Sequence, residues 1–172
     1  MNASIAQRLL FHVAGYLPLR IICDEGRPYL ERHYLFSAFG IRAYLHRFVG
    51  SDPDRGLHDH PWSWAASFVV SGSYLEEREA ASVVAGAACP VVLRRVRRLN
   101  FIRGSTFHRV VLPPDQSEVW TIFVHRACKT KAWGFKRDQG GPLRIASGDN
   151  RTEWWLDAPQ ARFHAQRVSR CS

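Results

Sequence analysis

The chain predicts an all-β fold, a closed barrel or sandwich behind a short N-terminal helix, on three observations. Short segments rich in Val, Ile, Phe, Tyr and Trp recur along most of the sequence and alternate apolar with polar positions. Clusters of Gly, Pro, Ser and Asp separate them at regular spacing. No helical pattern alternates with the strands, so a parallel sheet built from βαβ units is excluded.

The elements follow in order. Residues 4–16 place Ile5, Leu9, Leu10, Val13 and Tyr16 at helical spacing, an amphipathic helix that Pro18 stops. From Arg27 the period changes to two. Residues 41–49 read as a strand, closed by the turn residues Gly50 to Asp54. Residues 64–70 are apolar and β-prone, and Ser71, Gly72 and Ser73 turn the chain into a strand over 74–78. Residues 80–88 are small and weakly patterned, and read as a loop or hairpin tip. Residues 91–100 alternate Val with Arg, which suits a strand with one wet face. Residues 107–112, 118–125 and 133–135 complete the strands, with Pro113, Pro114 and Asp115 in a turn. Residues 149–172 carry Trp154, Trp155 and Phe163 and read as a tail that folds back. The expected organisation is a helical segment over 1–22, a β-barrel over 23–148 and a packing tail over 149–172, in one domain.

Composition agrees with a single packed domain. The 172 residues are 46% hydrophobic and 12% aromatic, enough for a sizeable core, and 23% charged, which argues against wholesale disorder. Lys and Arg outnumber Asp and Glu by 24 to 15, a net charge of +9 carried almost wholly by Arg. The excess suits an anionic small-molecule substrate or a solvated surface. No nucleic-acid-binding motif accompanies it, so nucleic acid is not an expected partner. Cys23, Cys89, Cys128 and Cys171 fit neither a zinc knuckle nor a disulfide framework, as expected of a reducing cytoplasm. No run approaches the ~18 apolar residues of a spanning helix, and Arg8 and His12 interrupt the N-terminal apolar stretch, against a membrane span or a secretory signal.

The chemistry concentrates in Gly56, His58, Asp59, His60, Pro61 and Trp62. Residues i and i+2 of a strand share a face, so the His58 and His60 imidazoles can converge on one ion. Asp59 points to the opposite face on the same argument. A third histidine, His108, opens the apolar segment after Gly104, 48 positions beyond His60. Gly72 closes the first constellation, and Trp133, Gly134 and Phe135 follow the last long strand.

In these residues the chain resembles the cupin superfamily. The first cupin motif carries a His-x-His pair, then a Glu and a Gly, and the second a glycine turn before a third His. His58, His60 and Gly72 match the first, and Gly104 with His108 matches the second loosely. Counting back from Gly72, the family's Glu position falls on Ala65, which cannot ligate. The second motif lacks its usual proline and has one extra residue before His108. The resemblance covers roughly residues 40–136 and is similar to a group of small bacterial and phage cupins. It implies a jelly-roll barrel, or double-stranded β-helix, with His58, His60 and His108 as metal ligands. Homodimer formation is the family default.

A three-imidazole site suits Fe(II), Zn(II), Ni(II) or Cu(II) on ligand chemistry alone. Such a site is similar to that of the thiol dioxygenase branch, which implies Fe(II) foremost, in a non-haem Fe(II) oxygenase acting on a small anionic molecule or a peptide side chain. A zinc or metal-independent epimerase or isomerase on a sugar-type substrate is the alternative, as is a non-catalytic ligand-binding cupin. Glu118 or Asp59 is a candidate fourth ligand. Candidate substrate-binding residues are Trp62, Tyr74 and Trp120 on an apolar wall, with Trp64 and Phe107 beside them, and Arg103 and Arg109 as carboxylate clamps flanking His108. His46 and His125 are weaker pocket candidates.

Overall fold

The computed structural model describes residues 4–54, 56–80, 91–136, 144–146 and 153–164. Helix α1 (Ile5–Ala14) starts at a capping box: Gln7 N–H donates to the Ser4 hydroxyl at 3.2 Å, and Ser4 N–H donates to the Gln7 side chain at 2.8 Å. Among the described residues twelve strands follow: β1 (Leu19–Asp24), β2 (Arg27–Ala38), β3 (Ile41–Phe48), β4 (Leu57–His58), β5 (Trp64–Ser71), β6 (Tyr74–Glu79), β7 (Val91–Val96), β8 (Leu99–Arg103), β9 (His108–Val111), β10 (Val119–Arg126), β11 (Trp133–Lys136) and β12 (Arg144–Ala146).

They form two six-stranded antiparallel sheets, ordered β1-β2-β3-β10-β5-β8 and β12-β11-β4-β9-β6-β7. Consecutive strands cross repeatedly from one sheet to the other, as in a jelly roll. The inner faces enclose two apolar clusters. One gathers Leu30, Phe48, Val69, Tyr74, Val96, Val110 and Val119; the other gathers Tyr44, Trp62, Ala65, Ile102 and Phe123.

Strand β3 is buried on both faces from Ala43 to Phe48. Its Tyr44, His46 and Phe48 join rings inside the barrel, while Leu45 packs with Ala14 of α1 and Trp120 of β10. The helix therefore caps the outside of the first sheet, with Phe11 lying 5.0 Å from the Arg47 guanidinium. Residues 153–164 lie against the same end. Trp155 stacks on Tyr34 with ring centroids 4.3 Å apart, and Ala161 N–H donates to Leu17 O at 2.9 Å.

Two segments differ from the sequence expectation. Residues 19–22, expected in the N-terminal helical segment, are strand: Leu19 to Asp24 pair with β2, because Pro18 ends the helical run and the apolar residues after it are β-branched or bulky. Residues 91–100, expected as one strand, are two. A turn at Arg97 and Arg98 sends β7 to one sheet and β8 to the other. The loop expected over 80–88 lies outside the described residues from 81 onward.

Candidate metal centre

The three histidines meet because of parity and register. Gly56, at φ 109°, takes a backbone conformation open to glycine and leads into β4. His58 on β4 pairs directly with His108 at the start of β9. His60 follows two residues later, just past the end of β4, and is held beside the β9 turn by its N–H donating to Gly104 O at 3.4 Å. Candidate ligand nitrogens of His58, His60 and His108 all lie within 4.8 Å of one another. His60 Nε2 and His108 Nε2 are 2.9 Å apart. That is about the separation of two nitrogens at right angles around an ion, each ~2.1 Å from it.

The donors suit a cation. His108 Nδ1 faces Glu76 Oε1 at 2.9 Å, so its Nδ1–H donates to the carboxylate and the Nε2 lone pair is left for a ligand. Burial, with His108 and His58 nearby, holds the His60 proton affinity well below the ordinary histidine value, and the ring is neutral. Glu76 is fully buried. It accepts from Arg94 Nε at 2.7 Å, Arg78 Nη2 at 3.1 Å and Asn100 Nδ2 at 2.8 Å. Burial pushes its carboxyl up, but the contacts from His108, Asn100 and Arg94 outweigh that and hold it well below the usual carboxylate range. The residues present therefore fit a divalent metal. His58, His60 and His108 would hold it, and Glu76 would fix the ring of one of them.

The triad opens on a cavity of about 240 Å³ between the sheets. Its wall is mostly apolar, with Phe48, Phe123, Trp133 and Phe135 beside Leu30 and Val110. Trp133 packs 5.9 Å from the His58 ring and 6.3 Å from the His60 ring, centroid to centroid. Polar groups are few: Arg32, His46, Ser67, Asp52 and the hydroxyl of Tyr74, which accepts from Asn100 Nδ2 at 3.0 Å. Burial raises the Tyr74 pKa, against the hydrogen bonds from Asn100 and Ser67.

Of the expected wall residues, Tyr74 lines the cavity and the others lie elsewhere. Trp62 backs His60 from outside the cavity, stacked at 5.5 Å, with its other neighbour His125 at 3.5 Å. Trp120 faces α1, with its indole N–H donating to Glu118 at 2.9 Å, because its β10 neighbour Thr121 takes the inward register opposite His46. Arg103 is exposed. Arg109, on the face opposite His108, is ion-paired to Glu77 at 2.5 Å and to Asp54. Trp64 stacks on Phe101, and Phe107 lies under Lys136, both away from the cavity.

Neither candidate fourth ligand joins the triad. Asp59 points to the opposite face, accepts from Gly134 N–H at 2.8 Å and pairs with Lys131, which ties β11 to the histidine strand. Glu118 pairs with Arg47 at 2.7 Å on the α1 side. His125 donates to its neighbouring carbonyl, Arg126 O, at 2.6 Å, outside the cavity.

Sequence reasoning missed Glu76 and Arg32 and underrated His46. A signal existed for Glu76: Tyr74 and Glu76 are two apart on one strand face, so an inward aromatic implied an inward carboxylate. His46 lines the cavity, but its Nε2 accepts from Arg32 Nε at 3.1 Å, so that lone pair is already used. Burial, then Arg32, holds His46 well below the ordinary histidine value.

No protein-family model matches the chain, and no curated protein matches it in sequence. Solved structures do match in shape. One is a cupin-2 domain protein from Rhodospirillum rubrum, at 15% identity and TM-score 0.51, covering 85% of this chain and 90% of that one. The fold is that of a cupin. A second match is Fe(II) HppE in complex with substrate, at 12% identity and TM-score 0.50, covering 63% of this chain and 56% of that one. The chain spans a little over half the length of the HppE structure it matches. Among its described residues no helix is long and apolar enough to cross a membrane.

Proposed function

We propose that this cupin is a metal-dependent enzyme, a non-haem Fe(II) oxygenase acting on a small anionic molecule. The observation that carries the reading is the ligand set itself. Three imidazoles converge without a carboxylate among them, at the wall of a small, mostly apolar cavity. Neutral donors leave the full charge on a divalent ion, which favours an anionic ligand at its remaining positions. When bound, such a metal supplies Lewis acidity and, if it is iron, one-electron chemistry with oxygen.

The chain's own residues supply the rest. Glu76 holds the His108 ring in one tautomer and one orientation. Trp133, Phe123 and Phe135 exclude water from the ligand side of the triad. Tyr74 presents a hydroxyl to the cavity, kept protonated at neutral pH by burial.

One observation favours a second reading. His108 backed by Glu76, with the Tyr74 hydroxyl on the same cavity, is also the arrangement of a base and an acid for an epimerase or isomerase. Oxygen uptake separates the two. Iron-loaded protein, presented with a panel of small thiols, hydroxy acids and amino acids, should consume oxygen with at least one of them. Proton exchange into a sugar-type substrate without oxygen uptake, at the same rate in metal-free protein, would replace the first reading with the second.

A further inference from the structure

The cavity holds a cation, Arg32, that has no ionic partner among the described residues. Arg32 sits on β2 directly opposite His46 of β3 and lines the cavity. Its Nε donates to His46 Nε2 at 3.1 Å, and its guanidinium carbon lies 5.3 Å from the Tyr44 ring centroid. These two contacts fix the plane of the group. Among the described residues no carboxylate lies within ion-pair distance of it, and its two terminal Nη groups form no hydrogen bond.

Charged groups inside proteins are ordinarily paired, because an uncompensated buried charge is heavily penalised. Arg32 is half-buried, and that burial lowers its pKa. Asp52 lines the same cavity and opposes that effect only weakly, and Arg20 adds to it. One Asp52 oxygen is engaged by Val110 N–H at 2.7 Å. The field of Arg32 also reaches the triad, where it lowers the proton affinity of His60.

We propose that Arg32 anchors the carboxylate of the ligand that fills this cavity, gripping both oxygens through its two Nη groups. The geometry selects that chemistry. With Nε committed to His46, the side-on approach to the guanidinium is blocked and the end-on fork remains. Arg32 is the one Arg or Lys among the described residues that line this small, mostly apolar chamber, which matches one planar monoanion and leaves a dianionic phosphate half-compensated. The far end of such a ligand would face His58, His60 and His108; that extension rests on the metal-centre reading, while the anchor itself does not.

The test therefore uses metal-free protein. Propionate and its uncharged isostere propionamide are titrated by NMR, and metal content is measured separately on metal-loaded samples of the same proteins. Wild type should bind propionate about tenfold or more tighter than propionamide, the worth of one charge-assisted contact. Arg32→Met should abolish that preference while keeping the affinity for propionamide, the metal content and the melting temperature, since a purely structural arginine would lower the last. Arg32→Lys, which keeps charge but not the fork, should retain a reduced preference. Equal affinity for the two ligands in wild type, or a preference that survives in Arg32→Met, overturns the anchor. Loss of metal binding with the preference intact would instead strike the metal-centre reading alone.

Discussion

Each histidine of the triad is prepared by a different neighbour. Glu76 sets the tautomer of His108, Trp62 packs along His60, and Trp133 with Phe135 flanks His58. Glu76→Gln should therefore weaken metal binding by about 10- to 100-fold, read by competition with a chelator, since the ring exchanges a charged acceptor for a neutral amide oxygen. Affinity equal to wild type would show that the carboxylate serves only its arginines. The histidines outside the triad make a separate prediction. Burial lowers the proton affinity of His46 well below 6.5, and that of His125 to about 3 despite its bond to Arg126 O. The unfolded chain takes up protons at both as pH falls below 6.5, and the folded chain does not. Their stabilising contribution is thus complete above 6.5 and declines below it, for His125 down to about 3, with a slope of up to ~1.4 kcal/mol per pH unit for each. Denaturant melts of metal-free protein between pH 7.5 and 5 check this, and a flat profile would contradict it.

At the scale of elements, the period-two pattern made most of the barrel readable; His58 and His60 converge as strand parity suggests, with Asp59 engaged elsewhere, although the strand itself ends at His58. The capping box, with Ser4 and Gln7 in plain view, shows that the helix start was equally legible. What stayed hidden depends on pairing. Trp120 looked like cavity wall because β10 is apolar on both faces, and only its register against β3 shows that Thr121 takes the inward side. Arg32 was invisible for the same reason: nothing local to β2 says that it lies opposite His46. Arg103 and Arg109 were chosen for closeness in sequence to His108; strand parity already turns Arg109 away from that histidine in the sequence, and both point outward. The turn before β9 also carries a prediction. A Cβ on Gly104 would meet Trp62 O at 2.0 Å, a backbone atom beside the His60 loop that cannot swing away. Gly104→Ala should destabilise by about 1–3 kcal/mol in denaturant melts and lower metal occupancy with it. Wild-type stability would mean that the two loops are not in contact.

The whole molecule divides into a cavity end and a supporting end. The second sheet carries His58 and His108, the first carries Arg32 and His46, and the cavity lies where they face each other. Helix α1 braces the first sheet from outside, while the tail over 153–164 closes the inner cluster, with Trp154 stacked on Tyr44 and Trp155 on Tyr34, neither of which touches the triad. Trp155→Ala should therefore cost about 3–5 kcal/mol of stability through the lost stack on Tyr34, with metal stoichiometry unchanged in the folded fraction. Loss of metal at full stability would contradict that division. The measurement that bears most directly on the account is metal stoichiometry by elemental analysis, on untagged wild type and on His58→Ala, His60→Ala and His108→Ala proteins with wild-type circular dichroism. The account predicts about one divalent ion per chain in wild type and almost none in each variant. Full metal content in any one of the three would contradict it.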